Sequence, residues 1–305
     1  MFKGTFLAMI TNFAIMIVLG IVLNIVGHIF FPPDPTMGTS PILQNLEFYL
    51  FISFAWGMGG SFLSLYMSKY VAKKTMGLQM IDPKTSSGNE REILDMVYAL
   101  SRKAGLKTMP EVAIYDRPEV NAFATGPSRN NSLVAVSTGL LQVMNRDEVE
   151  GVIGHEVAHI ANGDMMAMTM VQGVLNAFVL FFSRILAIFV SQGRDGERNF
   201  GMEFLLSMVF QVVLGFLAMF VVNWFSRLRE FRADKGGAKV AGKEKMIAAL
   251  ESLKRTIDYA EADPEGQAMA TMKISGGRGK LLSMLSTHPS LDDRIKRLQT
   301  MTSFN

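Results

Sequence analysis

The sequence predicts a mainly α-helical membrane protein, with four transmembrane helices and a cytoplasmic α+β portion carrying a small β-sheet. Three observations predict it. Of 305 residues, 49% are hydrophobic and only 19% charged, with a mean hydropathy of +0.25, which is too apolar for a typical soluble chain. The apolar residues gather into long runs instead of spreading evenly. Between and after those runs lie polar stretches with short β-like and helical patterns. Length alone allows roughly two domains.

The first run, Phe6 to Phe31, is uncharged, and its polar interruptions are Thr11, Asn12, Asn24 and His28. It exceeds the roughly 20 residues a spanning helix needs. It is also too long for a signal-peptide core and shows no small-residue cleavage site, so it reads as retained. The second run, Phe48 to Met67, is closed by Lys69, Lys73 and Lys74. The third covers Met165 to Val190, interrupted by Arg184, and the fourth covers Phe204 to Phe225. One such run could be a buried core helix; four in a chain this short read as membrane spans. Residues 32–47 contain no Lys or Arg, whereas Lys3 precedes the first run and three lysines follow the second. The positive-inside rule then places both termini and residues 69–164 in the cytoplasm. Arg184 lies far enough along its span to read as snorkelling toward the outer boundary.

In the polar portions, Ile93, Leu94, Val97, Leu100 and Ala104 form a helical stripe that Gly105 stops. Strands are expected at Glu111–Tyr115, Val120–Thr125 and Leu133–Ser137, separated by Pro118, Gly126-Pro127 and Asn130-Asn131. Asn145 reads as the N-cap of a helix running to Ala161, with Asp147, Glu148 and Glu150 near its start and Asn162-Gly163 at its end. A later helix is expected from Ser226 through Arg255, broken at Gly236-Gly237 and Gly242. A loop over Glu261–Lys280 and a short basic helix, Asp292–Gln299, complete the chain. The resulting division is 1–68, 69–164, 165–225 and 226–305, alternating paired membrane helices with cytoplasmic subdomains.

The chain has no cysteine, which excludes a disulfide scaffold, a thiol nucleophile, a thiolate metal site and an iron–sulfur cluster. The net charge of +3 is mild and no basic run is present, so no nucleic-acid partner is expected. A transition-metal site would have to use histidines and carboxylates, and the histidines are His28, His155, His159 and His288. His155-Glu156-Val157-Ala158-His159 is the sharpest signal. On a helix, positions i and i+4 share a face, so both imidazoles can reach one ion while Glu156 lies beside it. Zinc lowers the pKa of a bound water to about 7, and Glu156 can then take its proton during attack on a carbonyl.

A catalytic zinc takes three protein ligands. His28, near the outer end of the first run, reads as a packing or interfacial residue. Glu230 and Asp234, also at i and i+4, can offer a third ligand and a carboxylate that orients a ligand histidine. Spacing alone allows equally a solvated face paired with Arg227, Arg229 and Arg232. A hairpin between the two helices favours the metal reading, because it leaves and returns to one membrane face.

Together with Asn121-Ala122-Phe123-Ala124-Thr125-Gly126, these motifs resemble the HtpX proteases, bacterial integral-membrane zinc endopeptidases related to the CAAX prenyl proteases. The resemblance covers nearly the whole chain. It implies a zincin-like protease domain with His155, His159 and Glu230 as ligands to one zinc, Glu156 as catalytic carboxylate, and Asp234 beside a ligand. It further implies that Asn121, Ala122, Phe123 and Ala124 form a substrate-binding edge strand. His288-Pro289 with Arg294 matches a C-terminal motif of the family, so His288 would stabilise an oxyanion and Arg294 would support the site. Implied too are an inner-membrane location, misfolded or damaged membrane proteins as substrates, and cooperation with other envelope proteases. Prenyl-protein processing at a defined C-terminal motif, or a non-catalytic adaptor role, are the competing readings.

Overall fold

A computed structural model describes residues 46–191, 199–262 and 288–302. The first predicted span with His28, the 32–45 segment and most of the 261–280 loop lie outside them. The described elements are α1 (Leu46–Thr75), β1 (Gln79–Met80), α2 (Gly88–Lys103), β2 (Glu111–Tyr115), β3 (Ala122–Ser128), β4 (Asn131–Ser137), α3 (Thr138–Val143), α4 (Arg146–Asn162), α5 (Asp164–Ser191), α6 (Phe200–Ala241), α7 (Lys243–Ala262) and α8 (Leu291–Thr300). Of these, α1, α5 and α6 are long and apolar enough to cross a membrane, since even the 28 residues of α5 exceed the length a bilayer core requires. The chain divides into two compact units: one comprises residues 1–61 and 172–218, the other residues 62–171 and 219–305.

The described residues of the first unit are mostly helical, and large apolar side chains such as Phe178, Phe204, Val212 and Phe216 remain exposed along them, as lipid-facing residues do. Its helices approach through small residues: a Cβ on Gly57 of α1 would lie 2.3 Å from the Ala177 amide nitrogen of α5. Arg184 does not snorkel. Its guanidinium lies 2.9 Å from a Glu203 carboxylate oxygen and 5.6 Å from the centre of the Tyr49 ring. Glu203, just ahead of the fourth apolar run, belongs to the first turn of α6 and is 1% exposed. An unpaired carboxylate buried there would be costly, so the ion pair outweighs escape to the interface.

The second unit is built on a four-stranded sheet in the order β1-β2-β4-β3. β1 and β2 are antiparallel, β2 and β4 parallel, and β3 and β4 antiparallel. β4 is covered on both faces, which explains its unbroken apolar run. Val134 and Val136 join the main core with Val97 and Leu100 of α2 and Val149, Val152, Ile153 and Val157 of α4. Leu133 and Ala135 pack on the other face with Tyr115, Phe123, Met76 and Leu78. Two lysines that follow the second apolar run bind the sheet: Lys69 and Lys73 lie 2.9 and 2.6 Å from Glu111. β3 and β4 run longer than the sequence predicts because Gly126 does not turn the chain. At φ +138° it forms an irregularity within β3, where a Cβ would meet the Asn131 carbonyl oxygen at 2.2 Å, and the tip falls at Arg129-Asn130.

The Gly236-Gly237 pair does not break the helix either. α6 runs uninterrupted through Ser226 to Ala241, and only Gly242, at φ +113°, ends it. The glycines serve packing instead. A Cβ on Gly236 would meet the Ala158 Cβ at 2.7 Å, one on Gly154 the Ala241 Cβ at 2.9 Å, and one on Gly151 the Lys245 carbonyl oxygen at 2.4 Å. α4 therefore lies nearly backbone to backbone against α6 and α7. Gly151→Ala is expected to destabilise the protein by about 1–3 kcal/mol through overpacking; thermal unfolding in detergent, read as a lowered Tm at unchanged helix content, checks this.

Candidate metal centre

α4 owes its start and its end to local chemistry. The Asn145 side chain accepts from the Asp147 and Glu148 amides while the Glu148 carboxylate accepts from the Asn145 amide, a complete capping box. Gly163, at φ 72°, closes the helix in the left-handed conformation. That fixed helix carries His155, Glu156 and His159 on the side facing α6.

The two imidazoles are tied by the same device. His155 Nδ1 lies 3.0 Å from Asp234 Oδ1, and His159 Nδ1 lies 2.7 Å from Asp164 Oδ2. Carboxylates accept, so each Nδ1–H donates and each Nε2 is left as a lone pair. Those lone pairs converge. The two Nε2 atoms are 3.1 Å apart, and Glu230 places Oε2 3.5 Å from that of His155 and Oε1 3.4 Å from that of His159. Donors about 2.0–2.1 Å from a tetrahedral ion stand about 3.3–3.4 Å from one another. Three electron-rich atoms facing one another at this spacing repel unless protons or a cation lie between them, so the set fits a metal ion and its N, N, O donors suit zinc.

Glu230 and Asp234 are 3% and 2% exposed; they face the histidines, not solvent. Arg294, 5% exposed, grips Asp234 with two bonds, Nε to Oδ2 at 2.8 Å and Nη2 to Oδ1 at 2.6 Å. His288 stands just before α8, its Nδ1 2.9 Å from Glu230 Oε2. Sequence reasoning missed Asp164. The signal was present: an acid directly after a left-handed glycine stop, where the chain turns back on the last helical turn.

The charges are strongly coupled. Burial alone would make both histidines less basic, but the carboxylates outweigh it: Asp234 and Glu230 raise His155, and Asp164 and Glu230 raise His159 to about 10. Burial pushes Glu230 upward, yet His155, His159 and His288 hold it well below the usual carboxylate range. Asp234 likewise falls to about 2, its burial outweighed by Arg294. Without a cation the centre therefore retains protons.

A cavity of about 350 Å³ opens on the donors, lined by Asn121, Ala122, Phe123 and Ala124, by Glu156, His288 and Arg294, and by apolar residues including Leu140, Val152, Leu250 and Leu253. β3 is one of the two edge strands of the sheet. The Asn121 carbonyl accepts from the Ser137 amide, so by the alternation of an antiparallel pair Phe123 also bonds inward. Ala122 and Ala124 then turn their N–H and C=O groups to the open edge.

Peptidase family M48 matches residues 87–302. The chain is 49% identical over 296 residues to Protease HtpX of Alkalilimnicola ehrlichii, covering 96% of each protein. It is 49% identical over 305 residues to a Protease HtpX homolog of Bacillus licheniformis, covering 97% of this chain and 99% of that one. Its fold resembles the crystal structure of S. mikatae Ste24p, with a TM-score of 0.60 at 17% identity; the match covers 98% of this chain and 66% of that protein.

Two outcomes follow for metal binding. Asp164→Ala, by freeing the His159 ring, is expected to weaken the metal about 10- to 100-fold, measured by competition with a chelator. Because raised histidine pKa values mean that binding displaces protons, affinity should rise with pH, about tenfold per unit for each proton released; the same titration at pH 6 and pH 8 reads it.

Proposed function

The chain belongs to peptidase family M48 and is a membrane metalloprotease, and we propose that its metal is one zinc ion held by His155, His159 and Glu230. The observation that carries this reading is the convergence of two Nε2 atoms and a carboxylate within 3.1–3.5 Å, with both Nδ1 atoms already bonded elsewhere. Bound zinc would polarise the scissile carbonyl and the attacking water.

The protein's own groups do the rest. Glu156 lines the cavity beside His155 and takes the proton of the attacking water, then delivers it to the leaving amine. Asp234 and Asp164 hold the two imidazoles in one tautomer, and Arg294 holds Asp234. His288, at the cavity, donates to the oxyanion that forms on the peptide carbonyl. The open edge along Asn121–Ala124 adds the substrate as a further strand, with Ala122 and Ala124 offering main-chain bonds and Asn121 contacting the backbone near the scissile bond.

An edge that reads main chain is indifferent to sequence. That supports a broad substrate class, misfolded or damaged membrane proteins, in a quality-control role. It argues against a prenyl-processing enzyme dedicated to one C-terminal motif. The lysines at 69, 73 and 74 support a multi-pass inner-membrane protein with both termini and the metal centre in the cytoplasm. In this reading residues 69–164 and 226–305 form the protease portion, and residues 1–68 and 165–225 the membrane portion.

Glu156→Gln is expected to retain about one zinc per chain while cleavage of an unfolded membrane protein falls about 10²- to 10⁴-fold. Metal analysis beside a gel-based cleavage assay tests it, and wild-type activity in the variant would overturn the mechanism. Comparison with a prenylated peptide reads the substrate class.

A further inference from the structure

We propose that Ser137 is a positioning residue for the substrate, setting the strand edge that faces the metal centre. This rests on the reading of β3 as the substrate-binding edge. Ser137 is fully buried at the junction of β4 and α3. Its hydroxyl accepts from the Asn121 amide at 3.0 Å and from the Leu140 amide at 3.1 Å, and donates to the Glu119 carbonyl at 2.6 Å. The one donor and both acceptor sites of a serine are thereby used.

The consequence lies in Asn121. Its carbonyl accepts from the Ser137 amide at 2.9 Å and from the Tyr115 hydroxyl at 3.4 Å, so with the Ser137 hydroxyl on its amide both backbone groups are drawn inward. The register of β3 and β4 sets Asn121 opposite Ser137, and the Asn121 amide bonds to that residue's hydroxyl. Because bonding alternates along the strand, an inward Asn121 obliges Ala122 and Ala124 to face outward. A slip at Asn121 would turn these groups away from the cavity. The same hydroxyl caps α3, and so also positions Leu140, which lines the cavity. The Ser137 hydroxyl bonds to Asn121, Glu119 and Leu140 and not to the three metal-donor side chains, so its influence is on substrate placement.

The test uses the full-length protein in detergent with zinc bound, and two substrates: an unstructured peptide of about ten residues, long enough to lie along β3, and a blocked dipeptide amide that is too short to do so. Ser137→Ala is expected to lower kcat/KM for the long peptide about tenfold or more, chiefly through KM. The loss should be at least about fivefold larger than for the dipeptide, with zinc content maintained, and Ser137→Thr should recover most of it. Equal losses on both substrates, or none on the long one, overturn the proposal. If Ser137→Ala does not accumulate, Tyr115→Phe reads the same edge: a KM increase of about threefold weighted to the long peptide supports it, and an equal effect on both overturns it. A wild-type protein that gains nothing from substrate length removes the edge-strand reading, whereas an active Glu156→Gln removes the metalloprotease mechanism; the two failures are thus separable from that of Ser137.

Discussion

Ionisable groups packed into a water-poor space must neutralise one another, and the second unit is arranged around that requirement. Glu230, Asp234, Asp164, His155 and Arg294 are all nearly inaccessible. Each is held by a partner from a different part of the chain: α4 meets α6 through His155 and Asp234, α4 meets the start of α5 through His159 and Asp164, and α8 meets α6 through Arg294 and Asp234. Removing any one partner would leave a buried charge uncompensated, which costs far more than a surface pair contributes. The same arrangement turns two imidazole nitrogens and a carboxylate toward one another, a donor set that could hold a metal ion.

Such short distances demand that the helices carrying these groups come unusually close. The glycines at 151, 154, 236 and 237 permit it, since a side chain at any of them would strike the facing helix. Ordinary helix pairs stand about 8–10 Å apart according to the side chains between them. Glycine here is therefore a packing residue inside continuous helices, whereas at Gly77, Gly88, Gly105, Gly126, Gly163 and Gly242 a positive φ shapes the backbone. Apolar clusters on either side keep the contact rigid: the main core beneath α4, and Ala238, Met246, Leu250, Ile295 and Leu298 joining α6, α7 and α8.

The sheet contributes by leaving one edge open. β4 is buried on both faces and fixes the register of its neighbours, while β3 borders the cavity with one row of main-chain groups unpaired by the sheet. Exposed edges are usually a hazard that proteins blunt. This one borders the cavity that His155, His159 and Glu230 also line. The helical unit solves a separate charge problem in its own way, with Arg184 and Glu203 paired under Tyr49.

Much of this was readable in the amino-acid order because it follows from local rules. Apolar runs at 48–67, 165–190 and 204–225 announced three long helices, Asn145 and Gly163 bounded α4, and the spacing of His155 and His159 placed two imidazoles on one face. A chain without cysteine and with four histidines left a carboxylate as the natural third donor. Where local rules failed, a distant contact had won. Gly236-Gly237 stays helical because α4 lies against it, Gly126-Pro127 stays in a strand because β4 pairs across it, and Arg184 turns to Glu203 because an acid was buried on the next helix. Arg294 and Ser137 matter through groups as many as 139 and 18 positions away in the chain, whereas Asp164 meets His159 five positions back. By itself the sequence determined helix periods, caps and the chemistry available, all of which depend on near neighbours. Only the tertiary structure decided which charges face each other and which strand edge stays open, because burial and pairing belong to groups that meet only when the chain is folded.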